Sequence, residues 1–451
     1  MHDLAVVNGT VITEGSAMAV DIGIENGVIS EISAHGSLGS AQEVIDASGL
    51  KVLPGAIDVH FHCRAPSHPE RGTFDSETRA AAFGGVTTVL EMPISNPPAS
   101  TPEVIAARRA LGERDTHVNF GLIAGGVVTS TAQAEALLAE GAVSFKIFTH
   151  SPPPDRASEF IGLAAADEDE LYRAFEAIAP TGAVTTVHAE NQRLIEYFSR
   201  VETPSGRPAR PPVVEAAAVA LVGALAKATD ARIHIAHMTS AQSVQALQGA
   251  RASGVDITGE TCPHYLIFDE ATIDRYGSYV KVAPPLRPIA DTKALWKGLA
   301  TGDIQIVASD HAPFTPEEKA AAAYVDAPQG LPGVETMVPV LLDAAMQGEL
   351  GFEHAVSLLT EAPARRFSLY PRKGTIREGA DADLIMWDPE TTTTLRIDSF
   401  ASKAGGVGVP YDGMHLEGRI RRTIVGGKTV QIDGKMVEEF TGQFVAPDPS
   451  K

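Results

Sequence analysis

Short alternating apolar–polar runs open and close this chain, and between them strand-length apolar runs alternate with longer amphipathic stretches. Near the start, the run 4–7 meets Asn8-Gly9 and continues as 10–13, and the run 20–25 meets Asn26-Gly27 before 28–32. An Asn-Gly pair between apolar runs predicts a hairpin, because both residues tolerate the positive φ of a tight turn. The far end repeats the style with 383–388, then 420–425, Gly426-Gly427, 428–432 and Asp433-Gly434. The two ends are expected to pair into one small β-sandwich.

The middle has another rhythm. Strand-like runs cover 57–62, 86–91, 118–124, 143–148, 183–188, 232–237, 255–260 and 304–309, with helix-like stretches such as 102–111, 169–178, 213–228 and 241–252 between them. Eight strands alternating with helices over one large domain predict an α/β fold, a (β/α)8 TIM barrel, rather than an open doubly wound sheet. The expected division is 1–54 for the first part of the sandwich, 55–371 for the barrel, and 372–451 for its second part and a C-terminal tail.

Composition narrows the partners. A formal net charge of −21 argues against nucleic acid and anionic membrane surfaces, both of which reward clustered Lys and Arg. The two cysteines, Cys63 and Cys262, form no paired motif, which suits a reducing compartment. No signal peptide and no membrane-length apolar stretch is read, so a cytoplasmic protein is expected.

The polar residues on the middle runs carry the chemistry. His60 and His62 close the first run, Lys146 lies near the end of the fourth, His188 ends the fifth, His237 ends the sixth, and Asp310 follows the eighth. A (β/α)8 barrel builds its site at the C-terminal strand ends, so all six converge on one mouth. Residues two apart on a strand face the same way, so His60 and His62 can share one ion. A His-x-His pair alone is weak evidence, and a lone strand-end His is usually structural, as His234 is taken to be. Lys146 is the odd member. Its neighbours Val143, Phe145, Ile147 and Phe148 would bury an ammonium at large cost, which favours the neutral amine that carbon dioxide can carbamylate.

The stretch from Pro54 to His62 resembles the opening metal motif of the amidohydrolase superfamily, and Gly84 to Thr88 with Glu91-Met92-Pro93 resembles its cyclic amidohydrolases. The match continues through Ser144-Phe145-Lys146, His188-Ala189-Glu190-Asn191, His237-Met238-Thr239-Ser240, Thr261-Cys262-Pro263-His264, and Ser309-Asp310-His311-Ala312-Pro313. The resemblance implies two divalent metal ions, zinc first with manganese, cobalt or iron as alternatives. His60, His62, Lys146 and Asp310 would hold one and Lys146, His188 and His237 the other, with carbamylated Lys146 shared. It further implies Asp310 as the proton shuttle, with His311 as the fallback, and a homo-oligomer, dimer or tetramer.

Family members open hydantoins, allantoin, dihydropyrimidines or dihydroorotate. Arg64 matches a dihydroorotase carboxylate contact, but Ile94 and Phe314 stand where Asn and His are expected, although Asn96 is near. No Tyr follows Lys146, as it does in D-hydantoinases and dihydropyrimidinases. The implied substrate is therefore a small hydantoin- or allantoin-type cyclic amide, with Arg64, Asn96, Ala283 and Gln329 as candidate contacts and Phe314 as apolar surface. Dihydroorotase and dihydropyrimidinase are the alternatives. A non-catalytic scaffold protein is disfavoured by the complete ligand set, and a deaminase by Lys146.

Overall fold

In a computed structural model, which describes residues 1–201, 209–320, 323–437 and 442–447, the middle region forms a barrel of parallel strands wrapped by helices. The eight strands pair in chain order from Ala56–Phe61 to Ile306–Val307. A bridge between Phe61 and His311, with the His62 N–H donating to the His311 carbonyl at 2.9 Å, closes the ring. The strands are buried on both faces, as they must be between a packed interior and a shell of helices. Ile57, Val59, Leu90, Ile123, Val143 and Ile306 fill the interior with apolar volume.

The last three strands depart furthest from their expected bounds. The eighth is only Ile306–Val307, because it pairs with Glu260 and Thr261 and then turns away. The sixth is Arg232–Ile235, so His237 stands on the turn beyond it, and the seventh is shifted to Ile257–Thr261.

Both chain ends meet in one continuous ten-stranded sheet. Lys51–Pro54 pairs antiparallel with Leu384–Thr394 in the register Leu384↔Pro54. The long strand Ser16–Glu25 serves both halves, pairing with Thr10–Thr13 at one end and with His2–Val7 at the other. Leu4, Val11, Ile22, Ile24, Leu384 and Ile424 pack together as its apolar core, separate from the barrel's. Asn26-Gly27, Gly426-Gly427 and Asp433-Gly434 turn with both φ positive and link paired strands, as expected.

Asn8-Gly9 does not make a hairpin. The strands on either side of it lie end to end along Ser16–Glu25 instead of pairing with each other. Asp21 accepts from the Asn8 N–H at 3.0 Å, and a Cβ at Gly9 would meet Val52 Cγ2 at 2.7 Å, so this glycine serves close packing. The true turn is Glu14-Gly15, with φ of 48° and 72°.

The C-terminal residues leave the sheet and return to the barrel floor. Gly442 donates to the Thr116 carbonyl, Val445 donates to the Phe120 carbonyl, and Val445 joins the barrel interior. Residues 438–441 and 448–451 of the expected C-terminal region lie outside the described residues.

Among the described residues one helix, Pro212–Thr229, is long and apolar enough to cross a membrane, with a mean hydropathy of 1.5, contrary to the expectation that no stretch reaches that length. It is a barrel helix. Val214, Ala218, Val219, Val222 and Ala226 are buried, and it packs against Ala241–Ala252 and Glu168–Ile178.

Candidate metal centre

Parallel strands put all their C-terminal ends on one rim, and the six expected ligands stand there. His60 and Lys146 lie within strands, His188 ends one, and His62, His237 and Asp310 stand just past strand ends. All six are buried, Lys146 completely. Neighbouring ring centroids are 5.4 Å apart for His62 and His60, 5.1 Å for His60 and His237, and 4.4 Å for His237 and His188. Asp310 Oδ1 lies 3.3 Å from His60 Nε2 and 3.6 Å from His62 Nε2.

The backbone is strained where these side chains are aimed. His237 has φ +35° and Asp310 +43°, with Arg64 at +62°. Left-handed backbone costs a non-glycine residue roughly 1–3 kcal/mol, so surrounding packing must hold it there.

Burial sets the protonation states. It holds the imidazoles of His62, His188 and His237 well below the usual value, with help from Arg64, His150 and His188 respectively. Neutral rings keep a lone pair for a cation. Burial also brings the Lys146 amine down to about 8, against the opposing pull of Glu260 and Asp310, and it raises Asp310. His62 Nδ1, His237 Nδ1 and Lys146 Nζ are buried with no hydrogen-bond partner among the described residues. Such groups are costly unless something else satisfies them, and imidazole with carboxylate suits borderline divalent cations. The donor set fits a metal centre.

The next layer orients these ligands, and sequence reading had not singled it out. His60 Nδ1 donates to Glu260, which also accepts from His234 Nε2 at 2.9 Å and from the His237 N–H at 3.2 Å. His234 is thus structural, as expected, but it holds the carboxylate behind His60. Glu190 takes His188 Nε2 at 2.8 Å and is itself gripped by Arg210. Asp58 accepts from the Ser309 N–H and hydroxyl beside Asp310, and burial pushes its carboxyl up to about 6. Orienting partners of this kind set the tautomer and aim of a metal-binding histidine.

His311 cannot be the fallback base. Its Nε2 faces Glu77 Oε2 at 2.7 Å, and its Nδ1 accepts the Gly333 N–H at 3.1 Å. A nitrogen that accepts carries no proton, so Nε2–H donates to Glu77 and both nitrogens are occupied.

The mouth opens into a cavity of about 710 Å³ whose walls include Arg64, Ile94, Ala283, Phe314 and Gln329. Asn96 is not among them. It is exposed, with its N–H held by Ser67 Oγ at 3.1 Å, because the chain turns outward before Pro97. Phe314 offers no free apolar surface, being only 1% exposed. The guanidinium groups of Arg64 and Arg71 each lie 4.9 Å from its ring centre and that of Arg156 lies 5.9 Å away. Arg64 Nε is buried and unpartnered among the described residues, and burial, with Arg156 and Arg71 nearby, brings the guanidinium down to about 9. His150 is a further cavity wall, and no motif in the sequence marks it.

Comparison with known proteins agrees with this geometry. The model of the amidohydrolase family matches residues 51–430. An allantoinase of Rubrobacter xylanophilus is 37% identical over 459 residues, covering 100% of this chain and 98% of that protein. An L-hydantoinase of Paenarthrobacter aurescens is 32% identical, covering 99% of this chain and 98% of its own. The solved structure of L-hydantoinase (dihydropyrimidinase) from Arthrobacter aurescens superposes with a TM-score of 0.92 at 31% identity, covering 99% of this chain and 100% of that one. A barrel mouth lined by buried imidazoles, and a family match over most of the length, lead to one conclusion: the chain belongs to the amidohydrolase family.

Proposed function

We propose that this protein is a metal-dependent cyclic amidohydrolase that opens the ring amide C–N bond of a hydantoin- or allantoin-type substrate. One observation carries the reading: four imidazoles, a buried amine with no partner among the described residues and a carboxylate share one mouth. The relatives named allantoinase and L-hydantoinase, matched end to end, support the ring class.

In this reading His60, His62 and Asp310 would hold one divalent cation, zinc first, and His188 and His237 a second. Lys146 would serve both as a carbamate, formed when its neutral Nζ attacks carbon dioxide and loses a proton. When bound, the cations would supply Lewis acidity toward the ring carbonyl and toward water. Asp310 accepts the proton from that water and returns it to the leaving ring nitrogen. Glu260 and Glu190 hold His60 and His188 in register throughout. Backbone groups near Ala283 and Gln329, both cavity walls, receive the ring amide. A cytoplasmic homo-oligomer, dimer or tetramer, is part of the proposal.

A carboxylate-bearing ring, as in dihydroorotate, is the second reading, favoured by the unpartnered Arg64 Nε at the cavity wall. Kinetics on hydantoin, 5-substituted hydantoins, allantoin, dihydrouracil and dihydroorotate decide between them. Hydantoin or allantoin should exceed dihydroorotate in kcat/KM at least about tenfold, or about 1.4 kcal/mol. Equal or better turnover of dihydroorotate reverses the ranking.

A further inference from the structure

The row of imidazoles across the mouth does not end at His188. The His150 ring lies edge to face with it, 4.6 Å between centroids, and extends the row from four rings to five. His150 Nδ1 lies 2.8 Å from the Ser151 carbonyl oxygen. A carbonyl can only accept, so Nδ1 carries the ring proton and Nε2 is a bare lone pair. That Nε2 is buried and has no hydrogen-bond partner among the described residues. Ligand atoms of His150, His188 and Glu190 all lie within 4.8 Å of one another.

Glu190 is already engaged, since Arg210 donates to its two oxygens at 2.7 and 2.5 Å. It acts as an orienting counter-charge, which leaves His150 as the unsatisfied member. A histidine that gives one N–H to a carbonyl and keeps its other nitrogen bare is arranged as metal-binding histidines are. His60 shows the same division of labour, with Nδ1 on Glu260 and Nε2 toward Asp310. His150 also walls the cavity, so a substrate N–H is the other group that could satisfy Nε2, but the ring contact with His188, itself an expected ligand, favours a cation.

We propose that His150, through Nε2, is a further ligand of the cation held by His188 and His237. The inference rests on the two-cation reading above. It makes that site rich in nitrogen, which favours zinc or cobalt over manganese.

The test loads metal-free protein with zinc, cobalt or manganese and measures both affinities by competition with a chromogenic chelator, alongside the visible absorption of the cobalt form. Wild type is compared with His150→Phe, His150→Asn and His188→Ala. Loss of His150 should weaken the second ion about tenfold or more, leave the first within about twofold, and alter the cobalt spectrum. The zinc-over-manganese preference of the second site should shrink as well. The unchanged first site reports that each variant is folded. A second-ion affinity and cobalt spectrum like wild type in both His150 variants overturn the proposal, and so does equal loss of both ions in both. If His188→Ala alone weakens the second ion, this inference fails and the two-cation reading stands. If His188→Ala also changes nothing, the two-cation reading itself fails.

Discussion

Replacing Glu260 with Gln removes a charge from behind the mouth while keeping the side chain's volume. The carboxylate accepts from two imidazoles, His60 and His234, and from the His237 N–H. Gln keeps one oxygen for His60 and His237 and turns its NH2 toward His234. His234 can adapt, because its Nδ1 lies 2.8 Å from Thr258 Oγ1, a group that accepts as well as donates. The ring proton moves to Nδ1, and Nε2 accepts one N–H of the new amide. The loss is then the difference between charged and neutral bonds, about 1 kcal/mol for each imidazole and about 2 kcal/mol together. Ala would instead strand three buried donors at roughly 1–3 kcal/mol each, a large part of a protein's whole stability, so Gln is the informative change. Urea unfolding of the metal-free protein should show the lower midpoint at an unchanged slope. Metal affinity should fall about 10–100-fold as His60 loses its orienting partner. The pH dependence has a definite sign. Burial resists ionisation of Glu260, but His60 and His234 hold its carboxyl well below 4.5. A depressed folded pKa stabilises above the unfolded value, about 4.3, and that contribution is lost as pH falls through the folded one. The gap between wild type and Glu260→Gln should therefore be flat from neutrality to about pH 5 and shrink on further acidification. An unchanged midpoint with unchanged metal affinity, or a gap that widens in acid, refutes the reasoning.

Lys146→Ala should abolish binding of the second ion and turnover, with partial rescue by short carboxylic acids; an unmodified ammonium in active, metal-loaded enzyme would sink the carbamate. Asp310→Asn should lower kcat by roughly 10²–10⁴-fold while metal content falls less, and near-normal turnover would move the proton shuttle elsewhere. Gly442→Ala would place a Cβ 1.7 Å from the Val118 carbonyl oxygen, so the tail must shift and uncover Val445. The cost should be about 2 kcal/mol in the unfolding midpoint, and an unchanged midpoint would show that the tail contributes nothing.

Much of the barrel and its mouth was legible in the chain because parallel strands bury both faces, and a polar residue ending such a run stands out. His60, His188 and Lys146 are of that kind. Glu260 also ends a run, yet its role depends on facing His60 across two hundred positions, which no local pattern reveals. His150 follows its strand by two residues and looks like loop polarity until His188 is placed beside it. The misreading of Asn8-Gly9 has a similar cause: a pair that tolerates positive φ also suits a corner where Asp21 holds the backbone. Phe314 reads as apolar surface in the sequence because spacing cannot show that three guanidinium groups converge on its ring. Asn96 is near the motif in sequence alone, and one outward turn removes it.

The register Leu384↔Pro54 sets a timetable for synthesis. The strand ending at Pro54 leaves the ribosome early, but its antiparallel partner follows roughly 330 residues later, some 15–65 s at ordinary translation rates. During that interval one strand edge waits unpaired, and the barrel floor waits longer still for Val445. Nascent chains of this protein are thus exposed to aggregation in proportion to translation time. A circular permutant opened between Arg366 and Leu384 would place the two halves of the sheet on consecutive stretches of chain and end the wait.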